Sequence, residues 1–216
     1  MSEIGEVFDP EPRWFPAIAI LVVSGLYIAL PRDLTFGPRH AIPLVVVVLL
    51  VPTLIAHWVG WHRVDFVLGI VLSIVLTIAL IVSLGLLIHA LLTGAESGPE
   101  LLRAAACLWL TNILVFALWY WRIDAGGPHA RDRRAQHTTG AFLFPQMVAP
   151  KTVVPARWSP QFVDYLFLAF NTSTAFSPTD TPVLTRWGKI AMMIESTISL
   201  AVLVVLAARA VNILRP

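Results

Sequence analysis

Five long apolar runs decide what this 216-residue chain can fold into. They cover Trp14–Leu30, Ala41–Val59, Phe66–Leu92, Leu101–Trp121 and Lys189–Asn212. At the rise of an α-helix, about 17–25 apolar residues cross the hydrocarbon of a bilayer, and each run is near or above that length. They are too long for the buried core helices of a soluble domain. Charged residues make up only 13% of the chain, about half the usual share in soluble domains. The expectation is an all-α, multi-pass protein of a cell membrane.

The first run is preceded by Glu3, Glu6, Asp9 and Glu11. A secretory signal needs a positive flank and a small-residue cleavage site, so this run is expected to stay in the mature protein behind an acidic tail, 1–13. Cys107 has no partner for an intramolecular disulfide. A net charge of +2 gives no reason to expect nucleic acid. Arg131, Arg133 and Arg134 read as a solvated loop rather than a phosphate-binding patch.

Short linkers rich in Gly and Pro join the first four runs: Leu30–His40, Gly60–Asp65 and Thr93–Glu100. From Arg122 to Pro160 the chain is polar and proline-rich, and reads as an extended loop. Residues 161–176 are apolar from Phe162 to Phe170 and then turn abruptly to hydroxyls. That apolar part is too short to span alone and suggests a re-entrant segment, with a short sixth span as the alternative. All tryptophans but Trp109 sit at span ends, where the membrane interface attracts them. Five spans plus one re-entrant helix put all of these on one side, whereas a sixth span would move Trp187 across. The same side carries more Lys and Arg, which the positive-inside rule places in the cytoplasm.

The segment from Phe162 to Asn212 resembles the pore module of two-helix potassium channels: pore helix, filter, inner helix. With Leu101–Trp121 as outer helix the resemblance covers half of the chain, 101–216 including the long loop 122–160. In that family a T-x-T-T-V-G-Y-G-D run follows the pore helix. The matching residues here are Thr172, Ser173, Thr174, Ala175, Phe176, Ser177, Pro178, Thr179 and Asp180. Family members often continue with P-x-T-x-W-G-R, then an inner helix with a Glu, a hinge Gly four residues on and a terminal Ala-Arg. Here Pro182, Thr185, Trp187 and Gly188 are followed by Glu195, Ser199 in the hinge place, and Ala208–Arg209. The family's arrangement would place the tryptophan-rich side outside the cell, against the charge bias. The span layout also resembles an uncharacterised family of bacterial pore-loop membrane proteins.

Helical geometry alone puts Glu195, Ser199, Val202, Leu206 and Arg209 on one stripe. An ionisable residue two turns into a span faces a cavity or a partner, so Glu195 reads either as a hydrogen-bonding group behind the pore helix or as a lumen-facing one. Arg209 reads as snorkelling to the interface. The departures from the family are equally informative. A potassium filter is built from backbone carbonyls held by glycine-permitted angles, and Ala175–Thr179 contains no glycine. Pro178 further restricts the backbone. The resemblance therefore implies a homotetrameric, channel-like protein passing monovalent cations or small solutes with poor selectivity, or a non-conducting structural or regulatory subunit built on the same module. The three preceding spans, 14–100, are accessory: Phe66–Leu92 carries no Lys or Arg, so they form no voltage sensor.

Weaker signals remain. His57, His62 and Asp65 lie close together in the second linker with side chains that can ligate a metal, yet spacing within a loop does not define a site. Thr111 and Asn112 read as interhelical hydrogen-bonding groups. Asn171-Thr172-Ser173 matches a glycosylation sequon but falls in the re-entrant segment. No nucleophile–base pair or phosphate loop is present, and neither enzymatic activity nor a metal or cofactor is expected.

Overall fold

A computed structural model describes residues 11–94, 97–132, 140–150, 152, 158–175 and 180–213, with side chains through Arg209. Most of the described chain is helical. It contains α1 (Trp14–Ala29), α2 (Ala41–Val59), α3 (His62–Thr93), α4 (Gly98–Ile123), α5 (Pro128–Asp132), α6 (Pro145–Val148), α7 (Phe162–Ala175) and α8 (Arg186–Ile213). Among the described residues the one strand-like feature is an isolated antiparallel bridge between Phe142 and Val183.

Four helices are long and apolar enough to cross a membrane: α2, α3, α4 with its 3-10 extension to Gly126, and α8. The helix α1 has 16 residues and α7 has 14, about 24 and 21 Å against a hydrocarbon of about 30 Å. The exposed faces of α2 (Val47, Val48, Val51, Ile55) and α8 (Ile190, Met193, Leu200, Val204) are apolar, as lipid contact requires.

Local chemistry sets the boundaries. Gly60 and Gly94 close α2 and α3 in the left-handed conformation, φ 80° and 67°, where a Cβ is resisted. Because Gly60 makes the turn so tight, α3 begins at His62, and the second linker is shorter than the sequence suggests. Ser97 and Glu100 form a reciprocal capping box that starts α4. Pro52 inside α2 removes one N–H from the helix, and beside it the Thr53 hydroxyl donates to the Leu49 carbonyl at 2.7 Å.

The hub is α4. Its most apolar stretch is 61% buried against 22% for α2, and it packs against α1, α3, α7 and α8, while α2 covers α1 and α3. Ala104 and Ala105 are fully buried on it, and residues this small allow close helix approach where no hydrophobic effect drives association. The Trp119 indole N–H donates to Thr77 Oγ1 at 2.8 Å and ties α4 to α3.

The segment after α4 differs from the extended loop read from its prolines. Its described residues include two short helices, α5 and α6, and Asp124 ties part of it to the bundle, its carboxylate accepting from the Tyr165 hydroxyl at 2.7 Å and from the Ala141 amide. Leu143 N donates to Pro182 O at 3.0 Å, and Leu184 N to Ala141 O at 2.7 Å, joining this segment to the start of α8. Phe142, fully buried, lies edge-on to Tyr120 near the end of α4, Tyr165 near the start of α7 and Trp187 at the start of α8.

Candidate functional site

Where α4, α7 and α8 meet, five polar residues form one knot inside the bundle. Ser173 Oγ donates to Glu195 Oε1 at 2.8 Å, and the Tyr120 hydroxyl donates to Glu195 Oε2. One helical turn on, Ser199 Oγ accepts from Asn112 Nδ2 at 2.9 Å, and the same amide reaches the Glu195 carbonyl at 3.0 Å. Asn112, Ser173, Glu195 and Ser199 are all wholly inaccessible to solvent. A buried polar group costs stability unless it is paired, so this knot fixes the register of three helices at once.

The stripe of α8 that carries Glu195, Ser199 and Val202 thus packs inside the protomer, with Arg209 half-buried further along it. Of Glu195's two readings, the geometry is that of a hydrogen-bonding group behind α7. The filter-like residues divide. Thr172 and Ser173 are buried, Thr172 donating to the Leu168 carbonyl at 2.9 Å, so neither hydroxyl points outward. Thr174, Ala175 and Asp180 are exposed, and Thr181 Oγ1 donates to Asp180 Oδ1 at 3.0 Å. Phe176, Ser177, Pro178 and Thr179 lie outside the described residues. Asn112 bridges helices as expected from its place in a span, whereas Thr111 bonds to Cys107 O of its own helix.

A second polar layer closes the tryptophan-rich end. Glu11, read from sequence as part of an acidic tail, is buried: it accepts from the Trp121 indole at 2.7 Å and from the Phe162 amide, with Arg13 at 3.5 Å and Arg131 at 3.7 Å. Burial pushes its carboxyl above the ordinary glutamate range, and these donors and arginines pull it back. Arg13 also pairs with Asp132 at 2.6 Å, which holds the residues before α1 against the segment after α4. Arg131 is 3% exposed and donates to the carbonyls of Trp121 at 2.7 Å and Asp124 at 3.0 Å, contrary to a solvated loop. Arg133 and Arg134 lie outside the described residues.

Arg122 pairs with Asp65 Oδ1 at 3.1 Å and stacks over Trp121 at 4.8 Å. Its guanidinium occupies the space a side chain at position 69 would need: a Cβ on Gly69 would lie 2.2 Å from Arg122 Cζ. Asp65 Oδ2 meets His129 Nε2 at 2.6 Å, and His57 Nδ1 lies 3.4 Å from that same nitrogen. His62 sits beside His129, ring centres 4.2 Å apart.

Comparison with known proteins finds no matching family model, no matching curated protein and no matching solved structure. The function is therefore argued from this geometry. Sequence reasoning overlooked Tyr120, Glu11, Asp124, Asp132 and His129. One signal was available for Glu11, Asp124 and Asp132: the five-span reading puts them at the same membrane end as Arg13, Arg122 and Arg131, where opposite charges leaving water must pair.

Proposed function

We propose that the chain is a pore-loop membrane protein: five crossing helices, α1 being the shortest, with α7 re-entrant, assembled as a homotetramer in a cell membrane. The observation that supports it most is the depth at which α7 stops. Ser173, near its end, is level with Asn112, about halfway along α4. The start of α7 (Tyr165) and the start of α8 (Trp187) share Phe142 as a neighbour, so the chain goes in and comes back at one end. The roughly ten residues 176–185 can reach about 33 Å when extended, more than the return of about 20 Å requires. A hydroxyl-rich segment returning through the hydrocarbon needs protein or water on its open side, and fourfold closure around α7 and α8 supplies both.

In this reading the exposed Thr174, Ala175 and Asp180 face the subunit axis. A filter without glycine gives a path for monovalent cations or small solutes that scarcely discriminates between them. One observation favours the non-conducting alternative. Thr172, Ser173, Glu195 and Ser199 are occupied by internal bonds, and beyond Arg186 and Lys189 in its first turn the outward stripe of α8 from Ile190 to Val204 is apolar apart from Thr197. Native mass spectrometry at low detergent tests the assembly: four copies are expected, and a population of monomer and dimer alone contradicts the reading.

A further inference from the structure

The polar layer at the tryptophan-rich end contains a set of side chains that the pore-loop reading does not use. His57 ends α2, Asp65 lies in the first turn of α3, and His129 is on α5, 64 residues further along the chain. One ligand atom from each, His57 Nδ1, an Asp65 oxygen and His129 Nε2, lies within 4.8 Å of the others. We propose that these three residues bind one divalent transition-metal ion of the zinc class, with a fourth position open to water.

The chemistry of the set fits that class. Two imidazoles and one carboxylate suit zinc and its first-row neighbours rather than magnesium or calcium, which take oxygen ligands. With metal–ligand bonds of about 2.0 Å in a tetrahedron, neighbouring ligand atoms stand about 3.3 Å apart. The two histidine nitrogens are already 3.4 Å apart. The 2.6 Å contact between Asp65 Oδ2 and His129 Nε2 is a direct ion-pair or hydrogen-bond distance, and it opens by about 0.7 Å when an ion enters between them.

The surroundings are arranged as for a ligand set. Arg122 bonds Asp65 through Oδ1, orienting the carboxylate and leaving Oδ2 toward the histidines, as outer partners of ligating carboxylates do. Of the other nearby guanidiniums, Arg13 is paired with Asp132 at 2.6 Å, which offsets its repulsion of a cation, and Arg63 is exposed, where water and salt screen it. A void of about 20 Å³ touches His57, Asp65 and Arg122, and room for a single water or ion needs about 10–15 Å³. On the other side a cavity of about 320 Å³, lined by His62, Arg63, Phe66, Arg122, Gly127 and His129, gives an ion a route in and a water its place in the fourth position. The bound ion would fasten α5 to the corner between α2 and α3.

The test uses full-length, tag-free protein in detergent, dialysed against Zn²⁺, with bound metal measured by elemental analysis and the melting temperature recorded with and without Zn²⁺. The wild type should hold one Zn²⁺ per chain and melt higher with it. His57→Ala and His129→Gln should weaken binding on the order of 100-fold or more, since loss of outer partners alone costs 10- to 100-fold, and should lose the shift in melting temperature. His129→Gln keeps a side chain that can hydrogen-bond Asp65, so it guards against loss of fold. His89→Ala, on the distant half of α3, should bind as the wild type does. A wild type that takes up no Zn²⁺, or equal uptake by His129→Gln, overturns the site. So does a loss of binding in His89→Ala as large as in His57→Ala.

Discussion

Ser173 Oγ donates to Glu195 Oε1 across 2.8 Å, joining a 14-residue helix to one of 28 residues deep inside the bundle. Tyr120 donates to the same carboxylate and Asn112 to the Glu195 carbonyl and Ser199, so α4, α7 and α8 are held in one register. The contact also moves Glu195 from the list of candidate pore groups to the framework that holds α7 in place.

Glu195→Ala should therefore be strongly destabilising. It leaves the Tyr120 and Ser173 hydroxyls buried without their acceptor, at about 1–3 kcal/mol each. Glu195→Gln retains one acceptor and should cost less. Thermal unfolding in detergent reads both, and a Glu195→Ala protein as stable as the wild type would show that the knot does not hold the three helices.

Asp124 plays the corresponding part for the covering segment. Asp124→Ala removes the acceptor for Ala141 N and Tyr165 OH and should let the segment detach from the bundle, while Tyr165→Phe loses one hydrogen bond, about 1 kcal/mol. Limited trypsin digestion should cut Asp124→Ala after Arg133 or Arg134 several-fold faster than the wild type. Equal rates would mean that the segment is anchored elsewhere.

Topology separates a re-entrant α7 from a sixth crossing. Single cysteines replacing Ser2, Ala135 and Pro216, in a Cys107→Ser background, should label from one side at 2 and 135 and from the other at 216. The Arg13–Asp132 pair joins the residue before α1 to the end of α5. Labelling of all three positions from the same side would require a sixth crossing and remove the re-entrant segment.

Much of this architecture was legible in the chain because hydrophobic length is a one-dimensional signal. The span Ala41–Val59 coincides with α2, and the others are off by a few residues at ends set by caps such as Ser97–Glu100 and Gly60. The stripe Glu195–Ser199–Val202 was legible too, because helical periodicity fixes which residues share a face. Periodicity does not say which neighbour that face meets, so Tyr120 could not be found. The covering segment was hidden for a different reason. Its order comes from Asp124 and Arg131 bonding to backbone groups 7 to 17 residues away and from Asp124 bonding to the Tyr165 hydroxyl, 41 residues on, and proline-rich composition carries no trace of such contacts. His129 joins His57 and Asp65 only through that fold, so their linker spacing alone could not define a site.

The central claim is that the end of α7 and the residues after it line a weakly selective path. Potassium and sodium flux from liposomes containing the purified protein tests it most directly, in the wild type and in Phe176→Ala, which removes the bulkiest side chain of the filter-like run. The account predicts a flux that scarcely distinguishes the two ions, rises several-fold in Phe176→Ala and loses its preference for cations in Asp180→Asn. A strongly potassium-selective flux would contradict the glycine-free filter, and silence in both the wild type and Phe176→Ala would contradict conduction itself.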